Sequence, residues 1–223
     1  MFSYAFMKIL EMRPGSYDGR MDKVSRGRVR AVKEAVAAEI PPGSHVLELG
    51  CGTGELAAMM IGRGATVDGF DLNPAMLAAA ERRIEAENLG DRLSVRLMGV
   101  DGMDRLPDGA YEAVVATLVL SELSDGERLF AIKNAARVLR PGGRLIVADE
   151  VVPRGRGRRT LQALLRWPLL ALTYLVSRAS TRPLPNLTDE LAAAGLKVDR
   201  ETRSHGDALA LVIAHRPGEN ESV

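Results

Sequence analysis

At 223 residues and 46 % hydrophobic content, the chain is long enough to bury one full core and a modest cap. Thirty basic residues against 29 acidic ones leave a formal charge of +1, so no global field marks DNA or RNA as a partner. The single cysteine, Cys51, excludes an intramolecular disulfide and a cysteine-built zinc site; it fits a reducing compartment, with the cytoplasm the simplest reading.

The N-terminal run MFSYAFMKIL is apolar but short. It has no basic residue ahead of its apolar part and no small-residue cleavage pattern after it, so it does not read as a secretory signal. Phe2, Phe6, Ile9 and Leu10 fall at helical spacing and predict an amphipathic helix over 2–13. After Pro14-Gly15-Ser16, a second helix is predicted from about Met21 to Ile40, ended by Pro41-Pro42-Gly43. Residues 1–42 thus read as a helical cap.

From His45 onward, short apolar runs alternate with helical patterns. HVLEL precedes Glu55–Arg63, ATVDGFD precedes Pro74–Glu87, LSVRLM and YEAVVAT follow, and Gly126–Leu139 leads to GRLIVADE. This alternation predicts βαβ units and a parallel sheet covered on both faces. Pro141-Gly142-Gly143 is expected to be a tight turn feeding the fifth strand. KVDRETRS and ALALVIAHR read as a hairpin around His205-Gly206-Asp207, so one of them runs antiparallel. The main domain is therefore expected over 43–216, with a polar, disordered tail at 217–223.

Val46-Leu47-Glu48-Leu49-Gly50-Cys51-Gly52-Thr53-Gly54 lies where the first strand turns into a helix, the place where an open α/β sheet binds nucleotides. Its spacing is G-x-G-x-G, and not the G-x-G-x-x-G that receives a pyrophosphate. Glu48, two residues before the first glycine, would repel a pyrophosphate but can pair with the α-ammonium of S-adenosylmethionine (SAM). Asp71 ends the second strand, where an acid accepts from both ribose hydroxyls. Asp101, followed by Gly102 and Met103, comes after the third strand and can accept from the adenine amine while Met103 and Leu72 pack on the ring. Each acid taken alone suits a helix cap or turn; at three successive strand ends they point to one ligand. The glycine spacing and Glu48 both count against an NAD-dependent oxidoreductase.

VLELGCGTG, VDGFDLNPAML, the Asp101–Met103 stretch, YEAVVATLVL and ARVLRPGGRLIVADEVVP resemble the successive motifs of class I SAM-dependent methyltransferases. The resemblance covers roughly 43–153. It implies a Rossmann-like three-layer α/β sandwich whose mostly parallel seven-stranded sheet has strand 7 antiparallel. It also implies SAM as methyl donor and S-adenosylhomocysteine as product. Glu48, Gly50, Cys51 and Gly52 would meet the methionine end, and Asp71 and Leu72 the ribose, with Met76 of the same motif on the cofactor. Asp101, Gly102 and Met103 would hold the adenine, and Thr117 and Leu118 would line the floor. Tyr17-Asp18, Ser25 and Gly27 are similar to the N-terminal region of quinone-biosynthesis C-methyltransferases, with Met21 one place out of register. SYAFMKILE, LVLSELSD and Thr181-Arg182-Pro183 resemble the corrinoid-protein-associated methyltransferases. In both families Tyr17 and Arg28 would sit near SAM, closing the pocket.

Methyl transfer from a sulfonium needs alignment and exclusion of water, and no metal. A phenol, alcohol or carbon acid also needs a base. Glu122, just past strand 4, is one choice and a helix cap its competing role; Asp149 and Glu150 are rivals, only one of which should face the cleft. Tyr4, Tyr17 and Tyr174 are more distant possibilities. His45, His205 and His215 have no metal-ligand spacing and read as structural.

Arg154, Arg156, Arg158 and Arg159 precede LQALLRWPLLALTYLV. Its most apolar part, Trp167 to Val176, is too short for the roughly 20 residues of a membrane span. The 154–183 insert reads as a lid over a small apolar acceptor, as an interfacial helix giving peripheral membrane contact through 154–178, or as plain packing. The functional expectation is methyl transfer to a small, apolar acceptor. The alternative is a SAM-binding or corrinoid-protein partner module with little activity on free small molecules.

Overall fold

The computed structural model describes residues 16–155 and 182–218. The apolar runs become β1 (His45–Leu49), β2 (Thr66–Asp71), β3 (Leu93–Leu97), β4 (Tyr111–Thr117), β5 (Leu139–Glu150), β6 (Lys197–Ser204) and β7 (Leu209–His215). They form one seven-stranded sheet in the order β3-β2-β1-β4-β5-β7-β6. Strand β7 pairs antiparallel with both β5 and β6, and the remaining neighbours pair in parallel. The helices are α1 (Tyr17–Ser25), α2 (Arg28–Ala38), α3 (Glu55–Ile61), α4 (Pro74–Ala86), α5 (Asp125–Val138) and α6 (Leu187–Ala193).

Side chains alternate across the strands, so each strand feeds two cores. Leu47, Val114, Leu145 and Val147 face one side and pack with Ile132 and Ala135 of α5 and Leu191 of α6. Val46, Val115, Ile146 and Ala148 face the other and pack with Val36 of α2 and Leu56 and Met60 of α3. The result is the three-layer sandwich. Its strand order reverses between β1 and β4, opening a crevice at their carboxyl ends.

Two local expectations change. The helix predicted over 21–40 is two helices, α1 and α2, because Arg26 (φ 53°) and Gly27 (φ 75°) are left-handed. The Gly27 amide donates back to the Asp22 carbonyl at 2.8 Å, a C-terminal closure that glycine makes cheap. Pro141-Gly142-Gly143 does not precede β5 but bulges within it: Leu139 pairs with Tyr111, and pairing resumes with Arg144 opposite Ala113. The helix expected over 2–13, Tyr4, Tyr174, most of the 154–183 insert and the end of the tail lie outside the described residues. Among the described residues, no helix is long and apolar enough to cross a membrane.

Candidate active site

The glycine loop joins β1 to α3 with Gly50, Gly52 and Gly54 all at positive φ. Close packing adds a second demand: a Cβ on Gly50 would stand 2.9 Å from Val119 Cγ2, and one on Gly69 of β2 would stand 2.7 Å from the Cys51 Cβ. The loop is thus wedged between β2 and the turn after β4. Beside it opens a cavity of about 630 Å³.

Glu48 lines this cavity and is only 3 % exposed. Its Oε2 has no hydrogen-bond partner among the described residues. Burial pushes its carboxyl up to about 8; the nearby Lys33 charge works against that rise and the Asp71 charge adds to it. A buried, unpartnered carboxyl is costly unless a ligand supplies a donor, and an ammonium is the donor that would also ionise it. Lys33 of α2 lines the same end and gives its Nζ to Glu55 Oε2 at 2.7 Å. Cys51 is buried beside them, and burial together with the Glu48 and Asp71 charges raises its thiol and keeps it protonated.

Asp71 accepts from the Gly52 amide at 2.9 Å and from the Asn73 amide at 2.8 Å. One oxygen is used by each, so each keeps a lone pair for a ribose hydroxyl while the carboxylate also shapes the glycine loop. Leu72 after β2 and Met98, Gly99 and Asp101 after β3 line one part of the cavity wall. Leu72 is 71 % exposed there, an apolar face without cover among the described residues.

Met103 and Gly102, expected on the ring, do not line the cavity. Met103 is in the core beneath α5, and Gly102 lies behind Met98, whose Cγ would be 2.5 Å from a Cβ there. Arg137 of α5 holds this short helix, Val100–Arg105, by donating to the Met103 and Leu106 carbonyls at 2.8 Å each. Met98 takes the position expected of Met103. Arg28 also departs from expectation. It begins α2, is exposed and does not line the cavity; Val29 and Lys33 do. Met76 lines the wall, with its Cε near Gly52.

Thr117 and Leu118 line the floor where β4 ends. Thr117 Oγ1 is buried with no partner among the described residues. Leu118 is left-handed (φ 57°), a strained conformation for leucine, held by its amide donating to the Ala148 carbonyl at 2.8 Å. Glu122 follows on the short helix Leu120–Glu122 and lines the cavity with Val119 and Leu123. Glu127 is also on this wall but is tied into a capping box with Ser124. Neither Asp149 nor Glu150 lines the cavity. Asp149 is fully buried behind it, and burial raises its carboxyl to about 6 against the hydrogen bonds it accepts from Ser121 and Glu150. The three histidines lie away from the cavity, His45 on Asp68 and His215 on Asp199.

Tyr17 lines the cavity from α1, and its neighbour Asp18 anchors that helix. Asp18 accepts from Thr53 Oγ1 at 2.7 Å and from Arg83 Nη2 at 2.6 Å, while Arg83 Nε donates to the Thr53 carbonyl at 3.0 Å. The sequence reading missed this clasp, although Tyr17-Asp18 was in view. Thr53→Val, which removes the hydroxyl but keeps the shape, is expected to weaken S-adenosylhomocysteine binding about threefold to tenfold, at roughly 1 kcal/mol for one hydrogen bond. Calorimetric titration reads it; unchanged affinity would show that α1 does not bear on the ligand.

The orphaned Glu48 oxygen, the Asp71 carboxylate and the apolar wall at Leu72 and Met98 are matched to an ammonium, a diol and a flat ring in that order, the layout of SAM. Residues 46–143 match the family described as a methyltransferase domain. The chain is 36 % identical over 208 residues to a demethylmenaquinone methyltransferase of Thermus thermophilus, covering 86 % of this chain and 90 % of that one. It is 32 % identical over 180 residues to the methyltransferase GfsG of Streptomyces halstedii, covering 77 % of this chain and 61 % of that one. Among solved structures it superposes on an O-methyltransferase family protein from Burkholderia thailandensis with a TM-score of 0.71 at 25 % identity, over 92 % of this chain and 60 % of that one. Fold and site define a nucleotide-crevice α/β enzyme that binds SAM. The chain belongs to the class I SAM-dependent methyltransferases, with S-adenosylhomocysteine as product.

Proposed function

We propose that this methyltransferase methylates a flat, apolar quinol, with Glu122 as the base and Tyr17 closing the pocket over the donor. The observation that carries the reading is the placement of Glu122 on a cavity wall with Leu118, Val119 and Leu123, where the other carboxylate, Glu127, is tied into the capping box with Ser124. A carboxylate on the cavity wall is suited to take a weakly acidic hydroxyl proton. The likeness to a demethylmenaquinone methyltransferase over most of both chains supports a ring of that class.

Bound SAM supplies an electrophilic methyl group on a sulfonium. Glu48, Asp71 and the wall at Leu72 and Met98 fix its three parts, and the strained Thr117-Leu118 floor sets how closely the acceptor approaches. Glu122 takes the quinol hydroxyl proton, which pushes electron density onto the adjacent ring carbon. That carbon would bond to the methyl carbon as the methyl–sulfur bond breaks, releasing S-adenosylhomocysteine; the proton on the methylated ring carbon then leaves to solvent and Glu122 returns its proton to the ring oxygen, which restores the aromatic quinol. The partner-module alternative is not favoured, since the relatives named above are methyltransferases. Peripheral membrane contact through 154–178, on the cytoplasmic face, would suit a prenylated acceptor; nearly all of that segment lies outside the described residues.

The test uses labelled SAM with a short-chain demethylmenaquinol kept reduced. Wild type is expected to turn over, and Glu122→Gln to lose about a hundredfold in kcat, the usual worth of a general base, with S-adenosylhomocysteine affinity unchanged. Full activity of Glu122→Gln would remove Glu122 from the chemistry. No methylation of the quinol would remove the acceptor class.

A further inference from the structure

Asp149, the penultimate residue of β5, lies on the face that carries the α5 and α6 core, and it is 0 % exposed. One carboxylate oxygen accepts from the Ser121 amide at 3.1 Å and the other from the Glu150 amide at 2.7 Å. The opposite side of the Ser121 residue is also taken: its carbonyl accepts from the Arg182 amide at 2.9 Å. Arg182 opens the stretch that returns beside β5, where Leu184 donates to the Glu150 carbonyl at 2.8 Å and Val152 donates to the Leu184 carbonyl at 3.0 Å. Ser121 itself is buried and precedes Glu122. Val119, on the other side of the same turn, rests against the glycine loop at Gly50.

We infer that Asp149 is a positioning residue: with the 182–184 segment it clamps the Val119–Leu123 turn, so that the acceptor-facing wall is held in one register. A buried carboxylate is expensive to keep, and hydrogen bonds from Ser121 and from the Glu150 amide with no other role are a poor reason to keep it in an apolar core. Holding a turn that must present a side chain to a reacting atom is a better one, because small displacements there cost large factors in rate. The clamp stands on the hydrogen bonds alone. Its effect on the rate rests on the proposed role of Glu122, and the experiment separates the two.

Hydrogen exchange read by mass spectrometry on the full chain tests it. The amides of Leu118, Ser121, Glu122, Leu123, Arg182 and Leu184 are all hydrogen-bonded in this network. In Asp149→Asn only one acceptor oxygen remains for two donors, so exchange across 118–124 and 182–186 is expected to rise together, by about tenfold or more. The β1 and β2 peptides and the affinity for S-adenosylhomocysteine are expected to stay within threefold of wild type. With the short-chain quinol, KM rises and kcat falls, and the cost of Glu122→Gln shrinks in the Asp149→Asn background. Unchanged exchange at 118–124, or a rise there without one at 182–186, overturns the clamp. If Asp149→Asn loosens the whole sheet, Arg182→Pro decides, since it deletes one amide at an exposed position. A local rise at 118–124 then supports the inference, and none overturns it. Should Glu122→Gln prove fully active while the exchange result holds, the role of Glu122 is lost and the clamp is retained.

Discussion

Glu48→Gln is expected to lower the affinity for S-adenosylhomocysteine by about a hundredfold, and at pH 8 to make the ligand-free protein more stable than wild type. The first effect follows from removing one partner of a buried charge pair, which costs about 3 kcal/mol or more. The second follows from where the proton sits. In the folded, ligand-free chain the Glu48 carboxyl keeps its proton up to about pH 8, whereas the unfolded chain releases it near 4.5. Between those values the folded form binds more protons, so this group's contribution to stability is complete below about 4.5 and is lost as pH rises through 8. Gln carries no such proton and loses nothing across that window. Ligand binding below pH 8 should therefore expel a proton as the carboxylate meets the ammonium. Titration calorimetry in two buffers of different ionisation enthalpy measures that release, and melting curves at pH 5 and pH 8 measure the stability change. Wild-type affinity in Glu48→Gln, with no proton released on binding to wild type, would remove Glu48 from the donor site.

Asp71→Ala is expected to cost as much, for a different reason. Its carboxylate holds the Gly52 and Asn73 amides and lines the cavity, so truncation is expected to loosen the glycine loop and to remove the acceptor proposed for the ribose diol at once. Hydrogen bonds to a charged acceptor contribute about 1.5–3 kcal/mol each, so a loss of about a hundredfold or more is the expected result. Methylthioadenosine, which has the ribose and adenine but no amino acid, separates the two sites. Asp71→Ala should weaken it nearly as much as it weakens S-adenosylhomocysteine, and Glu48→Gln should leave it almost unaffected. A change of less than threefold in Asp71→Ala would show that the ribose is held elsewhere.

The residues that could be read in advance are those whose role is set within a few positions of chain. Gly50, Gly52 and Gly54 all adopt positive φ in a strand-to-helix turn, and Glu48 and Asp71 stand at strand ends that parallel topology brings side by side. The residues that were misplaced or missed depend on rotation about a helix axis. Arg28 and Lys33 share α2, yet only Lys33 is turned toward the cavity. Met98 and Met103 flank Asp101, yet the short helix Val100–Arg105 turns Met103 into the core. A propensity pattern defines such a helix but not its angular setting, which is decided by the packing of Met103 under α5 and by Arg137 holding its carbonyls.

By itself, then, the sequence determined the α/β sandwich and a terminal strand pair with an antiparallel member, and it placed Glu48, the glycine loop and Asp71 at neighbouring strand ends. Hydrophobic alternation, glycine conformation and the chemistry of an acid at a strand end act locally, and parallel pairing of neighbouring strands brings their carboxyl ends to one edge. The tertiary structure alone decided that Asp149 points inward to hold the Ser121 turn while Glu122 faces the cavity. It alone decided that Asp18 binds the glycine loop through Thr53 and Arg83, and that residues 182–184 return beside β5. Those contacts join segments far apart in the chain, and what selects them is the burial of polar groups that must each find a partner once the sheet has closed over them.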